Sequence, residues 1–207
     1  MTTIYMNHQA LIISIDEFKK QIPGYNPDKA EEFHRQSAKM ADKAFEKALK
    51  SSEFAKVIFV SGGSASGKTE FITSQLFDED AIIFDSTLSS EKGAEIKLRK
   101  VQKVKKKIEL VTVIPDDLNR AFIAFLNRDR KFDEQHFFKT HSGSRKTLLW
   151  IAHNYRDVRM KIVISHYAKK KLQYKEVDLN QNALNKFLET IQITEKEIKG
   201  LIYDNSQ

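Results

Sequence analysis

Five short runs dominate the hydrophobic pattern: LIISI from Leu11, VIFVS from Val57, AIIFD from Ala81, IELVTVI from Ile108 and KIVIS from Lys161. Each is rich in β-branched residues and too short for a core helix, so each reads as a strand buried on both faces. Between the first two, from Asp28 to about Lys50, Ala30, Phe33, Ala38, Ala41, Phe45 and Ala48 recur at helical spacing. Further helical stretches fit Thr69 to Leu76, Glu91 to Lys105, Asp116 to Asn127 and Arg145 to Tyr155; the one at Asp116 has an acidic first turn just after Pro115. Gly143, within HSGSR, predicts a break between helical segments. After Ser165 the pattern weakens, and Asn180 to Ile202 suggests one or two small helices.

Strands that alternate with helices predict an α/β fold: a parallel sheet of about five strands with helices on both faces, because right-handed crossovers cover both sides of such a sheet. Ligands then collect at the carboxyl ends of the strands. No repeat, low-complexity tract or linker divides the chain, so residues 1–207 read as a single domain with its core at about 10–166 and a C-terminal helical appendage at about 178–203.

Composition narrows the partners. The 207 residues carry 35 basic against 28 acidic side chains, a net charge of +7 that suits an anionic partner such as a nucleotide, a sugar phosphate or nucleic acid. The lysine runs 105–107 and 169–171 read as solvated faces. With no cysteine there is neither a disulfide framework nor a thiolate metal site. No apolar run approaches the ~18 residues of a membrane span, and MTTIYMNHQALIIS lacks the features of a secretory signal, so no membrane and a cytoplasmic location are expected.

The strongest chemical signal is Gly62, Gly63, Ser64, Ala65, Ser66, Gly67, Lys68 and Thr69, which fits G-x-x-x-x-G-K-[ST] between a strand and a helical stretch. Phosphate oxygens need several donors at once, and a glycine-rich turn leading into a helix N-terminus points successive amides at one spot. Lys68 would meet the β- and γ-phosphates of ATP or GTP, and the Thr69 hydroxyl would ligate a Mg²⁺ ion bridging them. The fold expected is therefore of the P-loop NTPase or kinase type.

A second group must say where the phosphate goes. Asp16 ends the run LIISI, where a carboxylate can accept the proton of an acceptor hydroxyl; an aspartate there also serves as a helix N-cap, and position alone leaves both open. Asp85, at the end of AIIFD, fits a Walker B aspartate that orients magnesium through water as well as it fits substrate binding. Charge spreads over the γ-phosphoryl oxygens in the transition state, which gives Arg120, Arg128 and Arg130 a rationale, against the alternative of solvated helix-surface residues.

The segment from Ile15 to Tyr25, read as strand-Asp-x-Phe-Lys-x-x-x-Pro-x-aromatic and followed by a long helix, resembles the substrate-side segment of zeta toxin kinases. Phe84-Asp85-Ser86-Thr87 resembles that family's acidic residue followed by small residues and threonine, and the region from Leu118 to Arg130 resembles its phosphate-contacting arginine segment. The resemblance covers roughly residues 11 to 140. It implies a kinase in which Asp16 is the catalytic base, Lys68, Arg128 and Arg130 act on the transferring phosphate, and Lys19, Asp85, Thr87 and Arg120 hold the acceptor. The implied acceptor is a small anionic molecule, a UDP-activated amino sugar such as UDP-N-acetylglucosamine, and an antitoxin-like protein partner is implied with it. The segment order is permuted, since the family places its P-loop before the Asp-x-Phe segment and here Asp16 precedes Gly62.

Two other readings use the same residues: a P-loop ATPase or switch whose basic surface engages nucleic acid or a protein, and a polynucleotide 5′-hydroxyl kinase. His136 and His141 lie five apart without a framing carboxylate, so structural or surface roles are expected rather than a metal site. Trp150, beside Leu148, Leu149 and Ile151, is expected in the core.

Overall fold

The structure, a computed structural model, describes residues 5–6, 10–168 and 171–204. Lys169 and Lys170 of the second lysine run, and much of the N-terminal segment read for a secretory signal, lie outside the described residues.

The chain builds one seven-stranded sheet in the order β1-β2-β4-β3-β5-β6-β7: β1 (Tyr5–Met6), β2 (Leu11–Ser14), β3 (Lys56–Ser61), β4 (Ile82–Asp85), β5 (Lys107–Pro115), β6 (Arg159–Ala168) and β7 (Lys171–Val177). The five strands read from the sequence, β2 to β6, are all present and all parallel. Two antiparallel edges, β1 against β2 and β7 against β6, are additional. β7 escaped the sequence reading because KLQYKEV carries lysine and glutamate along a half-exposed edge, the composition expected where a sheet end faces water.

Among the described residues eight α-helices surround the sheet: α1 (Ile15–Lys20), α2 (His34–Ser51), α3 (Lys68–Gln75), α4 (Glu91–Lys103), α5 (Leu118–Leu126), α6 (Glu134–Asn154), α7 (Gln181–Thr190) and α8 (Glu195–Tyr203). Because strand side chains alternate, Val57 and Phe59 point into a cluster with α2, α4, α7 and the second half of α6, whereas Ile58 and Val60 point to the other face, where α3 packs through Phe71 and Ile72. A third cluster joins α5, the first half of α6 and α8 through Phe122, Phe137, Phe138 and Ile198, and it includes Ala65 of the glycine-rich turn. Among the described residues no helix is long and apolar enough to cross a membrane.

Several boundaries differ from expectation. The helix expected from Asp28 begins at His34, preceded by a 3-10 turn over Pro27–Lys29 in which the Asn26 side chain accepts from the Asp28 amide at 2.9 Å. Gly143 breaks nothing: α6 runs unbroken from Glu134 to Asn154, and the stretch expected from Arg145 is its second half. The glycine is there for proximity, since a Cβ on it would lie 2.5 Å from the Ser89 carbonyl oxygen. Trp150 is half-buried on the rim of the core, its ring 5.5 Å from that of Tyr155. The lysine run at 105–107 is more than a solvated face, because Lys106 Nζ donates to the carbonyls of Ser52 and Phe54 and ties the entry of β5 to the end of α2.

Two glycine replacements separate proximity from helix propensity. Gly143→Ala should destabilise by about 1–3 kcal/mol in urea unfolding, because the new methyl meets backbone that cannot swing away. Gly93→Ala in α4, where a Cβ meets nothing closer than 3.7 Å, should stabilise by about 0.5–1 kcal/mol.

Candidate active site

The turn after β3 is shaped by residues that tolerate unusual backbone and close approach. Gly62 (φ 137°) and Gly67 (φ 86°) occupy the left-handed half of conformational space. A Cβ on Gly62 would lie 2.2 Å from the Val113 carbonyl oxygen, and one on Gly63 would lie 2.3 Å from the His141 ring. Ala65 takes φ 59°, which costs a non-glycine residue about 1–2 kcal/mol, so the surrounding contacts must impose it. α3 starts at Lys68 and its first backbone bond runs from Phe71 N to Gly67 O. The amides of Lys68, Thr69 and Glu70 therefore precede the intrahelical ladder.

Side chains from α6 and the β6–β7 hairpin hold this turn from behind. Thr140 Oγ1 accepts from the Ser64 amide at 3.0 Å, and His141 Nε2 donates to Ser64 O at 2.8 Å. With Nε2 protonated, Nδ1 accepts from Arg145 Nη1 at 3.2 Å. Burial, reinforced by the Arg145 charge, holds the His141 imidazole well below its ordinary range, so it is neutral at pH 7. Tyr167 OH donates to Ala65 O, and Tyr174 OH donates to Gly67 O at 2.8 Å. None of these four supports was identified in the sequence as part of the site. Tyr167 and Tyr174 lie in the segment where the strand pattern fades, and His141 was expected in a structural or surface role with no link to the turn.

Strand register brings the other groups to the same edge. Ser14 of β2 pairs with Asp85 of β4, which pairs in turn with Val60 of β3, and Ser14 Oγ donates to Asp85 Oδ2 at 3.4 Å. Asp85 is the last residue of β4, as the sequence suggested. Asp16 neither closes the strand nor caps a helix. It is the second residue of α1, whose N-cap is Ser14, and so its carboxylate is carried forward by one step into the cleft.

That cleft, about 660 Å³, is lined by Ser64, Lys68 and Thr69 from the turn and α3, Asp16 and Lys19 from α1, Asp85 and Thr87 after β4, and Arg128 and Arg130 from the loop after α5. Lys68 Nζ donates to Gly62 O and Gly63 O, both at 2.9 Å. Burial draws the Lys68 amine down to about 8, with Asp85 opposing, and burial raises the Asp85 carboxyl, with Lys68 opposing. Asp16 Oδ2 pairs with Arg130 Nη2 at 2.8 Å and Oδ1 with Lys19 Nζ at 2.9 Å. Lys19 is only 1% exposed, and its ammonium also lies 4.3 Å from the Phe132 ring centroid. Burial alone would raise Asp16, but Arg130 and Lys19 outweigh it and hold the carboxyl at about 2. Half-buried Arg128 has no ion pair among the described residues, which leaves its guanidinium open to an anion in the cleft.

Arg120 is not brought to this cleft. It lies on the first turn of α5, where Nη1 donates to Tyr167 O at 2.8 Å and Nε pairs with Asp117 at 3.4 Å, and it lines a different cavity. The Asp117 N-cap turns the start of α5 so that Arg120 faces β6.

No family model matches the chain, and no curated protein matches it in sequence. Solved structures share its fold, among them two with AvrRxo1-ORF1 and -ORF2. The AvrRxo1-ORF1:-ORF2 structure with ATP contains a chain that superposes with a TM-score of 0.53 at 12% identity over 82% of this chain and 75% of that one. The AvrRxo1-ORF1:AvrRxo1-ORF2 structure with sulphate ions gives 0.51 at 12% identity over 83% and 76%. The fold is thus that of a P-loop kinase-like α/β protein.

The Asp16 network should be visible in stability. A carboxyl held near 2, against an ordinary 3.8, stabilises the fold by roughly 2 kcal/mol above pH ~4, and that contribution disappears as pH falls from about 4 towards 2. Asp16→Asn should therefore show its full deficit in urea unfolding at pH 7 and a shrinking one below pH 4. A deficit that did not change with pH would contradict the pairing.

Proposed function

We propose that this chain is a kinase that transfers the γ-phosphate of ATP or GTP to a hydroxyl of a small anionic acceptor, in the manner of the zeta toxin family. The observation that carries the reading is the shared cleft: Asp16 lines one cavity with Ser64, Lys68 and Thr69 of the glycine-rich motif, although the segment order is permuted. The ATP bound in a structure of the same fold, the AvrRxo1-ORF1:-ORF2 complex, supports ATP as donor. Those neighbours are two-protein complexes, which supports a protein partner of antitoxin type here.

In this reading the unladdered amides at the start of α3 and the Lys68 ammonium hold the β- and γ-phosphates. Thr69 and Asp85 offer oxygen donors in the same cleft, so the residues fit Mg²⁺. Among the described residues no group of three or more His, Cys, Asp or Glu could hold a metal by itself, and phosphate oxygens and water would supply the rest of the ion's shell. When bound, the ion would neutralise charge on the β- and γ-oxygens.

Asp16 at about 2 is a poor base for an unreacted alcohol. The acceptor hydroxyl acidifies only as its oxygen bonds to phosphorus, so Asp16 orients the O–H first and takes the proton late, while the bond from Pγ to the bridging oxygen breaks and ADP departs. Acceptor entry between Asp16 and Arg130 would release Arg130 towards the phosphoryl oxygens, where the unpaired Arg128 already has access. Lys19 and Thr87 complete the acceptor side. A UDP-activated amino sugar such as UDP-N-acetylglucosamine is the specific acceptor the family resemblance favours.

The test is transfer of label from [γ-³²P]ATP into a metabolite extract and into a nucleotide-sugar pool. Wild type should label an organic phosphate ester, and Asp16→Ala should not, at a temperature where unfolding controls show both proteins folded. Arg128→Ala should lower kcat about 10²- to 10³-fold with a smaller change in the KM for ATP. Equal labelling by wild type and Asp16→Ala would remove Asp16 from the chemistry.

A further inference from the structure

A second cavity, about 820 Å³, opens at the carboxyl ends of β5 and β6, beside the start of α5 and the α7–α8 connection. Its charged rim is already engaged: Asp117 pairs with Arg120, and Asp116 contacts the His166 ring. Its walls mix polar and apolar side chains, with Ile114, Ile164, Phe187 and Ile191 supplying the apolar part. The remaining charge in the lining is Arg145 of α6, a side chain only 6% exposed.

Arg145 is unusual because a buried guanidinium normally has an anionic partner. No carboxylate forms an ion pair with it among the described residues; its two bonds both come from Nη1, to His141 Nδ1 at 3.2 Å and His141 O at 3.0 Å. Those use two of a guanidinium's five N–H donors, leaving Nε and Nη2. Among the described residues neither nitrogen makes a hydrogen bond, and the cavity is what Arg145 borders. Burial alone draws the group down to about 10, which still leaves it charged at pH 7.

We propose that this cavity is a binding site for a small monocarboxylate with an apolar body, whose carboxylate bridges Nε and Nη2 of Arg145. The fork of Nε and Nη2 matches a carboxylate bidentately, the apolar side chains offer its body a surface, and the Asp116 and Asp117 carboxylates in the same lining oppose a multiply charged anion. Because Arg145 Nη1 also positions His141, which holds Ser64 O, an occupant of this cavity touches the support of the glycine-rich turn without entering the cleft.

Benzoate and inorganic phosphate serve as probes, titrated against the full chain by ¹H–¹⁵N NMR and calorimetry. Benzoate should shift the amides of Phe187 and Ile191 and bind at least about tenfold more tightly than phosphate. Arg145→Met, similar in length and uncharged, should weaken benzoate about tenfold or more, and Arg145→Lys, which keeps charge but loses the fork, should fall between. Should Arg145→Met fail to fold, Arg145→Lys carries the comparison. Lys68→Ala should abolish binding of an ATP analogue and leave benzoate affinity intact, so that failure of the kinase reading and failure of this site are told apart. Equal benzoate affinity in wild type and the Arg145 variants, absence of shifts at Phe187 and Ile191, phosphate binding as tight as benzoate, or one-for-one displacement of benzoate by the ATP analogue would each overturn the proposal.

Discussion

The seating of a bare backbone turn against one long helix is the constraint on which the rest of the site depends. Gly63 lies so close to the His141 ring that no side chain fits between them, and the Ser64 peptide is gripped on both sides, its amide by Thr140 and its carbonyl by His141. This grip requires a neutral imidazole with Nε2 protonated, which burial and the Arg145 charge enforce. α6 in turn is positioned by the cores at its two ends and by the close pass of Gly143 against Ser89. Fixing the turn from behind leaves the amides at the head of α3 facing the cleft, which is the pre-organisation that anion binding needs.

The opposite wall of the cleft works by charge. Lys19 is buried almost completely, which draws its amine down, while the Asp16 carboxylate opposes that shift and the face of Phe132 lies beside it. Arg130 closes on the other carboxylate oxygen, while Arg128 remains uncommitted. Asp16 is thereby a structural counterion in the cleft and, in the proposed reaction, the group that orients the acceptor. The two roles are compatible because an incoming polar acceptor replaces interactions that Arg130 gives up, whereas Lys19 is held in place by burial. A consequence is that loss of activity on replacing Asp16 carries information about chemistry only when folding has been checked.

Much of this was legible in the residues. The β-branched runs identified all five parallel strands, because a strand covered on both faces must be apolar at every position. The glycine-rich turn was legible because its geometry admits few residue types, and Asp85 because a carboxylate ending an apolar run has to emerge at the strand end. Asp16 was found, although its position on α1 rather than on β2 was not. What stayed hidden depends on tertiary contact. Gly143 looked like a helix breaker because local propensity cannot register a neighbouring backbone 2.5 Å away. Thr140, His141, Ser144 and Arg145 look like a polar surface stripe, yet all are buried against the turn or the second cavity. Arg120 fell within the arginine-rich segment, but its direction was set by the Asp117 cap and the Tyr167 carbonyl, neither of which leaves a mark in spacing.

The most direct measurement is a crystal structure with magnesium and a non-hydrolysable ATP analogue. The account predicts the β- and γ-phosphates on the amides of Lys68 and Thr69, with the γ-phosphate in the cleft facing Asp16 and within reach of Arg128. Phosphates bound outside that turn, or a γ-phosphate directed away from Asp16, would contradict it.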